Sequence, residues 1–140
     1  MILEIWKKMY NKAKVEYHRE QFSPFIVAHH VVAAVESEDG KIFTGFCIES
    51  ASGVMNLCAE RVAALNMYMS TGKTRIRRLI ACRENPPKNG GMPCGACMEF
   101  LMQLDRANGE MEILTDFESR RTVKLKDVFP SWWGEKRYVE

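Results

Sequence analysis

Apolar residues recur at three- and four-residue spacing near the start of the chain. Ile2, Ile5, Trp6, Met9, Tyr10 and Ala13 are separated mainly by Lys and Glu. That period places them on one stripe, so it predicts an amphipathic helix over residues 2–19, packed on a sheet. Ser23-Pro24 breaks the pattern. Residues 25–35 are rich in Val and Ala, with His29 and His30 inside the run, and read as a strand buried on both faces. Ser37-Glu38-Asp39-Gly40 predicts a tight turn, because Asp-Gly supplies the positive φ of a hairpin. Residues 41–48 return as its second strand, with Ile42, Phe43, Thr44 and Phe46.

A polar loop, Glu49-Ser50-Ala51-Ser52-Gly53, leads to a helix predicted over 57–70, with Val62, Leu65 and Met69 on one face and Thr71-Gly72 at its end. Residues 75–83 predict a buried strand centred on Leu79-Ile80-Ala81-Cys82. Residues 84–92 form a Pro/Gly/Asn loop of the kind that rims a site. A third helix is predicted over 95–107, with Phe100, Leu101 and Leu104 facing in. Two short strands, 111–115 and 122–125, and an aromatic tail over 128–133 complete the pattern. Strands and helices alternate after the hairpin, which suggests a layered α/β fold. No repeat or compositional break divides residues 1–140, so one domain is expected.

Composition narrows the function classes. The chain is 46% hydrophobic and 27% charged, the balance of a globular protein with a substantial core. A net charge of +2 is too small to favour nucleic acid or an anionic membrane as a partner. No apolar run reaches the length of a membrane span. The first residues lack the basic start and apolar core of a secretory leader. Five cysteines in such a chain are expected to stay reduced, some of them on a metal. The expectation is a cytoplasmic protein.

Two short motifs carry the chemistry. Cys58-Ala59-Glu60-Arg61 and Pro93-Cys94-Gly95-Ala96-Cys97 each open a predicted helix. Cys94 and Cys97 are three residues apart and share a face of the first turn. Pro93 stands just before that turn, where a missing N–H costs nothing. Helix N-termini stabilise thiolates through their free N–H groups and dipoles. A structural zinc site closes with four protein ligands, whereas a catalytic one keeps three and leaves a place for water. Three cysteines with a glutamate beside one of them fit the second pattern. Arg61 is placed to hydrogen-bond a ligand sulfur and offset the negative charge of three thiolates. Glu60 would then carry protons between water and substrate. A closed site completed by His29 or His30 is the structural alternative. Cys47 and Cys82 sit in apolar strands and read as core thiols.

These motifs identify a resemblance. Asp39-Gly40-Lys41-Ile42-Phe43-Thr44-Gly45 running into Ile48-Glu49, then Cys58-Ala59-Glu60-Arg61, then Pro93-Cys94-Gly95-Ala96-Cys97 are similar to the cytidine deaminase family, in its small free-nucleoside branch. The resemblance implies a three-layer α/β/α sandwich on a five-stranded mixed sheet, a Zn²⁺ cofactor and a homotetramer, with a dimer the alternative. It implies a small nucleoside substrate, with neither nucleic acid nor membrane as partner. The activity implied is hydrolytic conversion of cytidine or deoxycytidine to the uracil nucleoside and ammonia, as in pyrimidine salvage.

Carried onto this chain, the resemblance makes Cys58, Cys94 and Cys97 the metal ligands, Glu60 the acid/base and Glu49 a ribose-binding carboxylate. Cys47 and Ala59 are further expected substrate contacts. Cys47 stands where the family usually has Asn, and a thiol is a poor substitute for an amide that both donates and accepts. The aromatic residue that stacks on the base corresponds either to Phe25, by local context, or to His29, by ungapped spacing from Asp39-Gly40. Pro130-Ser131-Trp132-Trp133-Gly134 also resembles the end of the blasticidin-S-deaminase branch, which acts on a modified cytosine nucleoside. A structural-zinc binding module and an inactive nucleoside-binding relative are the readings from other classes.

Overall fold

The structure is a computed structural model in which residues 2–84 and 91–139 are described. The stripe Trp6, Met9, Tyr10 and Ala13 is buried along α1 (Ile2–Ala13). α1 is shorter than its predicted span, because a 3-10 turn at Lys14–Glu16 ends it. The chain then forms β1 (Glu20–Ser23). Periodicity did not reveal this strand, since three of its four residues are exposed and its one large apolar side chain, Phe22, makes only edge contacts with the His29 and Phe46 rings.

β2 (Ile26–Ser37) and β3 (Ile42–Ser50) make the predicted hairpin, with Ala34 opposite Thr44 and Val35 opposite Phe43. Gly40 in the turn adopts φ 87°, a left-handed conformation that costs glycine nothing. After them come α2 (Ala59–Thr71), β4 (Ile76–Cys82), α3 (Gly95–Leu104), β5 (Glu112–Asp116), β6 (Arg121–Lys124) and the short α4 (Leu125–Val128). Residues 85–90 of the predicted loop at 84–92 lie outside the described residues.

β3, β2, β4, β5 and β6 lie side by side in that order, with β4 and β5 parallel and the other neighbours antiparallel. β1 pairs with residues 26–28 of β2 and β4 with residues 32–37, while β3 pairs along both stretches. β1 and β4 therefore share one edge of β2. The sheet has six strands where five were expected, and the additional one is β1.

Side chains of the central strands alternate between two cores. Val32, Ala34, Ile80, Cys82 and Leu114 pack with α1. Ala33, Val35, Leu79, Ala81 and Ile113 pack with Ala63 and Met67 of α2 and Leu101 of α3. The result is the three-layer α/β/α sandwich, with a helix layer on each face.

α2 buries a different face from the one predicted. Ala59, Glu60, Ala63, Ala64 and Met67 face inward, and Leu65 and Met69 are exposed. The cause is close approach to β3. A Cβ at Gly45 would stand 2.6 Å from the Ala59 carbonyl oxygen and 2.9 Å from the Val62 carbonyl carbon, and would also strike the Ala63 nitrogen. Only glycine fits there, opposite a helix face of alanines. In α3 the buried residues are Cys97, Leu101 and Met102, while Phe100 and Leu104 are partly buried. Buried Asn108 accepts from the Ile76 N–H at 2.7 Å and donates to the Leu101 carbonyl at 2.9 Å, tying α3 to β4. The indole N–H groups of Trp132 and Trp133 both donate to the Glu99 carboxylate, at 2.8 and 2.7 Å, and hold the aromatic tail on α3. Among the described residues no helix is long and apolar enough to cross a membrane.

Candidate active site

Two helix starts meet at one point. Cys58 is the extended residue capping the N-terminus of α2, Cys94 holds the same position on α3, and Cys97 lies in the first turn of α3. Their sulfur atoms all lie within 4.8 Å of one another, with Cys58 Sγ and Cys94 Sγ 3.5 Å apart. An antiparallel bridge between Ile48 and Leu57, with both N–H···O contacts at 2.9 Å, pins the loop preceding α2. Glu49 and Cys58 therefore emerge from adjacent points of the chain.

The electrostatics suit a cation. Arg61 Nη2 donates to Cys58 Sγ at 3.5 Å, and this bond, more than burial can oppose, holds the guanidinium firmly in its charged form. Burial works to raise the Cys94 thiol, but the N–H groups of Cys97 and Ala96 and the neighbouring thiols outweigh it and draw Cys94 below the usual thiol range. Burial and the negative charges of Glu60 and the other two cysteines push Cys97 up. One negative charge is thus favoured at the N-termini and further ones repel, a conflict that a divalent cation among the sulfurs would remove.

Glu60 is 2% exposed. Burial raises its pKa, while the backbone N–H and the charges of Arg83 and Arg61 pull the other way. A buried carboxyl balanced in this manner is suited to exchanging protons.

A cleft of about 160 Å³ opens onto this point, lined by His30, Val31, Cys47, Ile48, Glu49, Asn56, Leu57, Cys58, Ala59, Glu60, Arg83 and Cys94. Pockets for drug-sized ligands run to roughly 300 Å³ and more, so the enclosed part suits a single heterocycle. The larger groove beside α1, about 1010 Å³, is lined by Lys7, Lys8, Lys12 and Arg78 among others and contains no cysteine or histidine.

Of the residues singled out from sequence, the structure brings Cys58, Cys94, Glu60, Ala59, Glu49 and Cys47 to this cleft, with Cys97 and Arg61 against its sulfurs. Phe25 and His29 do not line it. Phe25 is 68% exposed beside the end of β3, where its carbonyl accepts from the Ala51 N–H at 2.9 Å. His29 is buried, its ring stacked between His18 at 4.1 Å and Phe46 at 3.8 Å.

The histidine that reaches the cleft is His30. Strict alternation from Val32 would place His29 on the cleft side and His30 beneath α1. The β2–β3 register slips between Ala28 and Val32, and His29 takes φ 67°, so a bulge reverses the two. Arg83 also lines the cleft; its only signal in the sequence was its place as the last residue of a predicted buried strand. His18, Glu20 and His29 form a second group of metal-binding side chains. The His18 and His29 rings lie within 22° of parallel, so their in-plane lone pairs run side by side rather than converge.

Comparison with known proteins gives the family. A cytidine deaminase from Mycobacterium tuberculosis is 34% identical over 106 residues, which cover 74% of this chain and 72% of that protein. This chain belongs to the cytidine deaminase family. A second family member, from Sporosarcina psychrophila, is 35% identical over 102 residues, 68% of this chain and 70% of that one. The crystal structure of the M. tuberculosis enzyme superposes with a TM-score of 0.72 at 26% identity, covering 92% of this chain and 97% of that one. A cytidine deaminase structure from Burkholderia pseudomallei gives 0.65 at 25% identity, over 91% and 98%. No protein-family model matches the chain.

Proposed function

We propose that this chain is a zinc-dependent deaminase that hydrolyses a cytosine-type nucleoside to the uracil nucleoside and ammonia. The observation that carries the reading is the convergence of three cysteine sulfurs and one buried carboxylate on a single cleft. Thiolates are good zinc donors, and the helix N-termini and the Arg61 hydrogen bond stabilise them in the ionised form that binds metal. Cys58, Cys94 and Cys97 would hold the ion, which supplies a Lewis acid that lowers the pKa of water.

Glu60 is not one of the three ligands, so it is left to move protons. Its carboxylate accepts a proton from the attacking water and delivers it to the ring nitrogen beside the amine-bearing carbon. The water oxygen bonds to that carbon. Glu60 then takes the remaining proton from that oxygen and passes it to the amine; the C–N bond breaks as the C=O bond forms, and ammonia departs. Burial keeps the carboxyl ready to hold a proton between the two transfers, and the positive charges of Arg83 and Arg61 keep its ionised form accessible. Ala59 and Val31 offer apolar walls to the ring, and Glu49 stands at the exposed mouth to accept from a sugar hydroxyl.

An ultraviolet assay of the zinc-loaded protein against cytidine, deoxycytidine and blasticidin S tests the reading. Conversion of at least one of them with release of ammonia is expected, and absence of turnover on all three overturns it. Blasticidin S is the second reading, favoured by Cys47, whose thiol changes the sugar-facing wall. We also infer a homotetramer. Val54 and Met69, 93% and 84% exposed, lie with Met55, Leu57, Leu65 and Tyr68 on α2 and the loop before it, an apolar surface that suits a second copy. Sedimentation as a monomer at micromolar concentration would contradict that.

A further inference from the structure

The wall that differs from the family pattern contains its own replacement. Position 47 carries a thiol instead of an amide. The Val31 N–H donates to Cys47 Sγ at 3.2 Å, and burial keeps the group a thiol by raising its pKa. The sulfur is 3.4 and 3.5 Å from the two nitrogens of the His30 ring. It is nearly equidistant from both, so it packs against the imidazole rather than bonding one nitrogen. Cys47 is therefore engaged by the backbone and by His30, and offers a ligand little polar contact.

His30 supplies what the thiol lacks. Its Nε2 lies 3.0 Å from Glu49 Oε2, hydrogen-bonding distance for an N–H donating to a carboxylate. The His30 side chain is 28% exposed and that of Glu49 63%, so the pair sits where the cleft opens to solvent. The bond engages one carboxylate oxygen and leaves the other available. The backbone has been bent to make this contact: the bulge before Val32, with a non-glycine residue at positive φ, is what turns the ring toward the cleft.

We propose that His30 is a positioning residue of the sugar subsite: it fixes the Glu49 carboxylate so that its free oxygen accepts from a sugar hydroxyl, the task position 47 cannot perform. A 3′-deoxy sugar lacks one such hydroxyl and so reads the contact. The inference rests on the nucleoside-deaminase reading above.

Steady-state kinetics on cytidine and 3′-deoxycytidine, with calorimetric binding of uridine and 3′-deoxyuridine, test it. The unaltered protein is expected to favour the 3′-hydroxyl by about tenfold or more, the size of one hydrogen bond to a charged group. His30→Phe keeps a ring against Cys47 but has no donor; it should bring the preference below about threefold, with the loss on KM rather than kcat. His30→Gln retains an N–H donor and should keep most of the preference. Adding Cys47→Asn to His30→Phe should restore it, because an amide returns to the wall. Equal handling of the two sugars by the unaltered protein, or an unchanged preference in His30→Phe, overturns the proposal. A fall in kcat without a change in preference also overturns it. If no nucleoside is turned over, the deaminase reading fails on its own, and binding of the two uracil nucleosides still decides the role of His30.

Discussion

Gly45→Ala probes the contact that places the site. The added Cβ would meet only backbone: the Ala59 oxygen at 2.6 Å, the Val62 carbon at 2.9 Å and the Ala63 nitrogen. No side chain can swing away, so α2 itself must retreat from β3. Opening the 2.6 Å approach to an ordinary 3.4 Å contact moves the helix start by about 0.8 Å. Overpacking of this kind costs about 1–3 kcal/mol. In a chain of this size each kcal/mol lowers Tm by roughly 2–4 °C, so a fall of roughly 2–12 °C is expected. The functional loss should be larger. Ala59 and Val62 flank Glu60, and Cys58 caps the same turn, so carboxylate and sulfur move together relative to Cys94. A misplacement near 1 Å can cost about a hundredfold in rate. Differential scanning fluorimetry and the ammonia assay read the two effects on one preparation. A Gly45→Ala protein that melts and turns over like the unaltered one would refute the account of how α2 is seated.

Cys94→Ser should lose its metal, as read by atomic absorption after gel filtration. At free zinc about 1,000-fold above its Kd, bound metal stabilises by about 4 kcal/mol, most of which the variant should forfeit; equal zinc content and Tm would argue against Cys94 as a ligand. The tail clasp should respond to acid. Burial would raise the Glu99 carboxyl, but hydrogen bonds from Trp133, Gln103 and Trp132 hold it below its ordinary 4.5. A lowered folded-state pKa means that the clasp contributes stability above pH 4.5 and loses it as pH falls through the lower folded value. Tryptophan fluorescence should therefore change below pH 4.5 in the unaltered protein, and Glu99→Gln should remove that transition; an unaltered transition in the variant would contradict the clasp.

Much of the fold was legible because its signals are local. The α1 stripe follows the helical period, and Asp39-Gly40 marks the hairpin. Cys58 and the Cys94–Cys97 pair announce the candidate metal site by residue type and spacing. What stayed hidden depends on tertiary contact or on breaks in periodicity. β1 has no apolar alternation to show. The buried face of α2 was misassigned because Leu65 and Met69 are the larger apolar residues, whereas proximity to Gly45 admits only alanines. The identity of the cleft histidine turned on a bulge that inserts two extra residues of β2 between Ala28 and Val32, which no alternation rule foresees.

The central claim is that Glu60 moves protons beside a zinc ion that it does not bind. Glu60→Gln, prepared with zinc and assayed for ammonia release from the best substrate of the panel, tests this most directly. The account predicts one zinc per chain retained, a fold unchanged by melting, and turnover reduced by at least about a hundredfold, the lower end of the contribution of general acid–base catalysis. Native-like turnover in the zinc-loaded variant would contradict it, as would loss of the metal on making this one substitution.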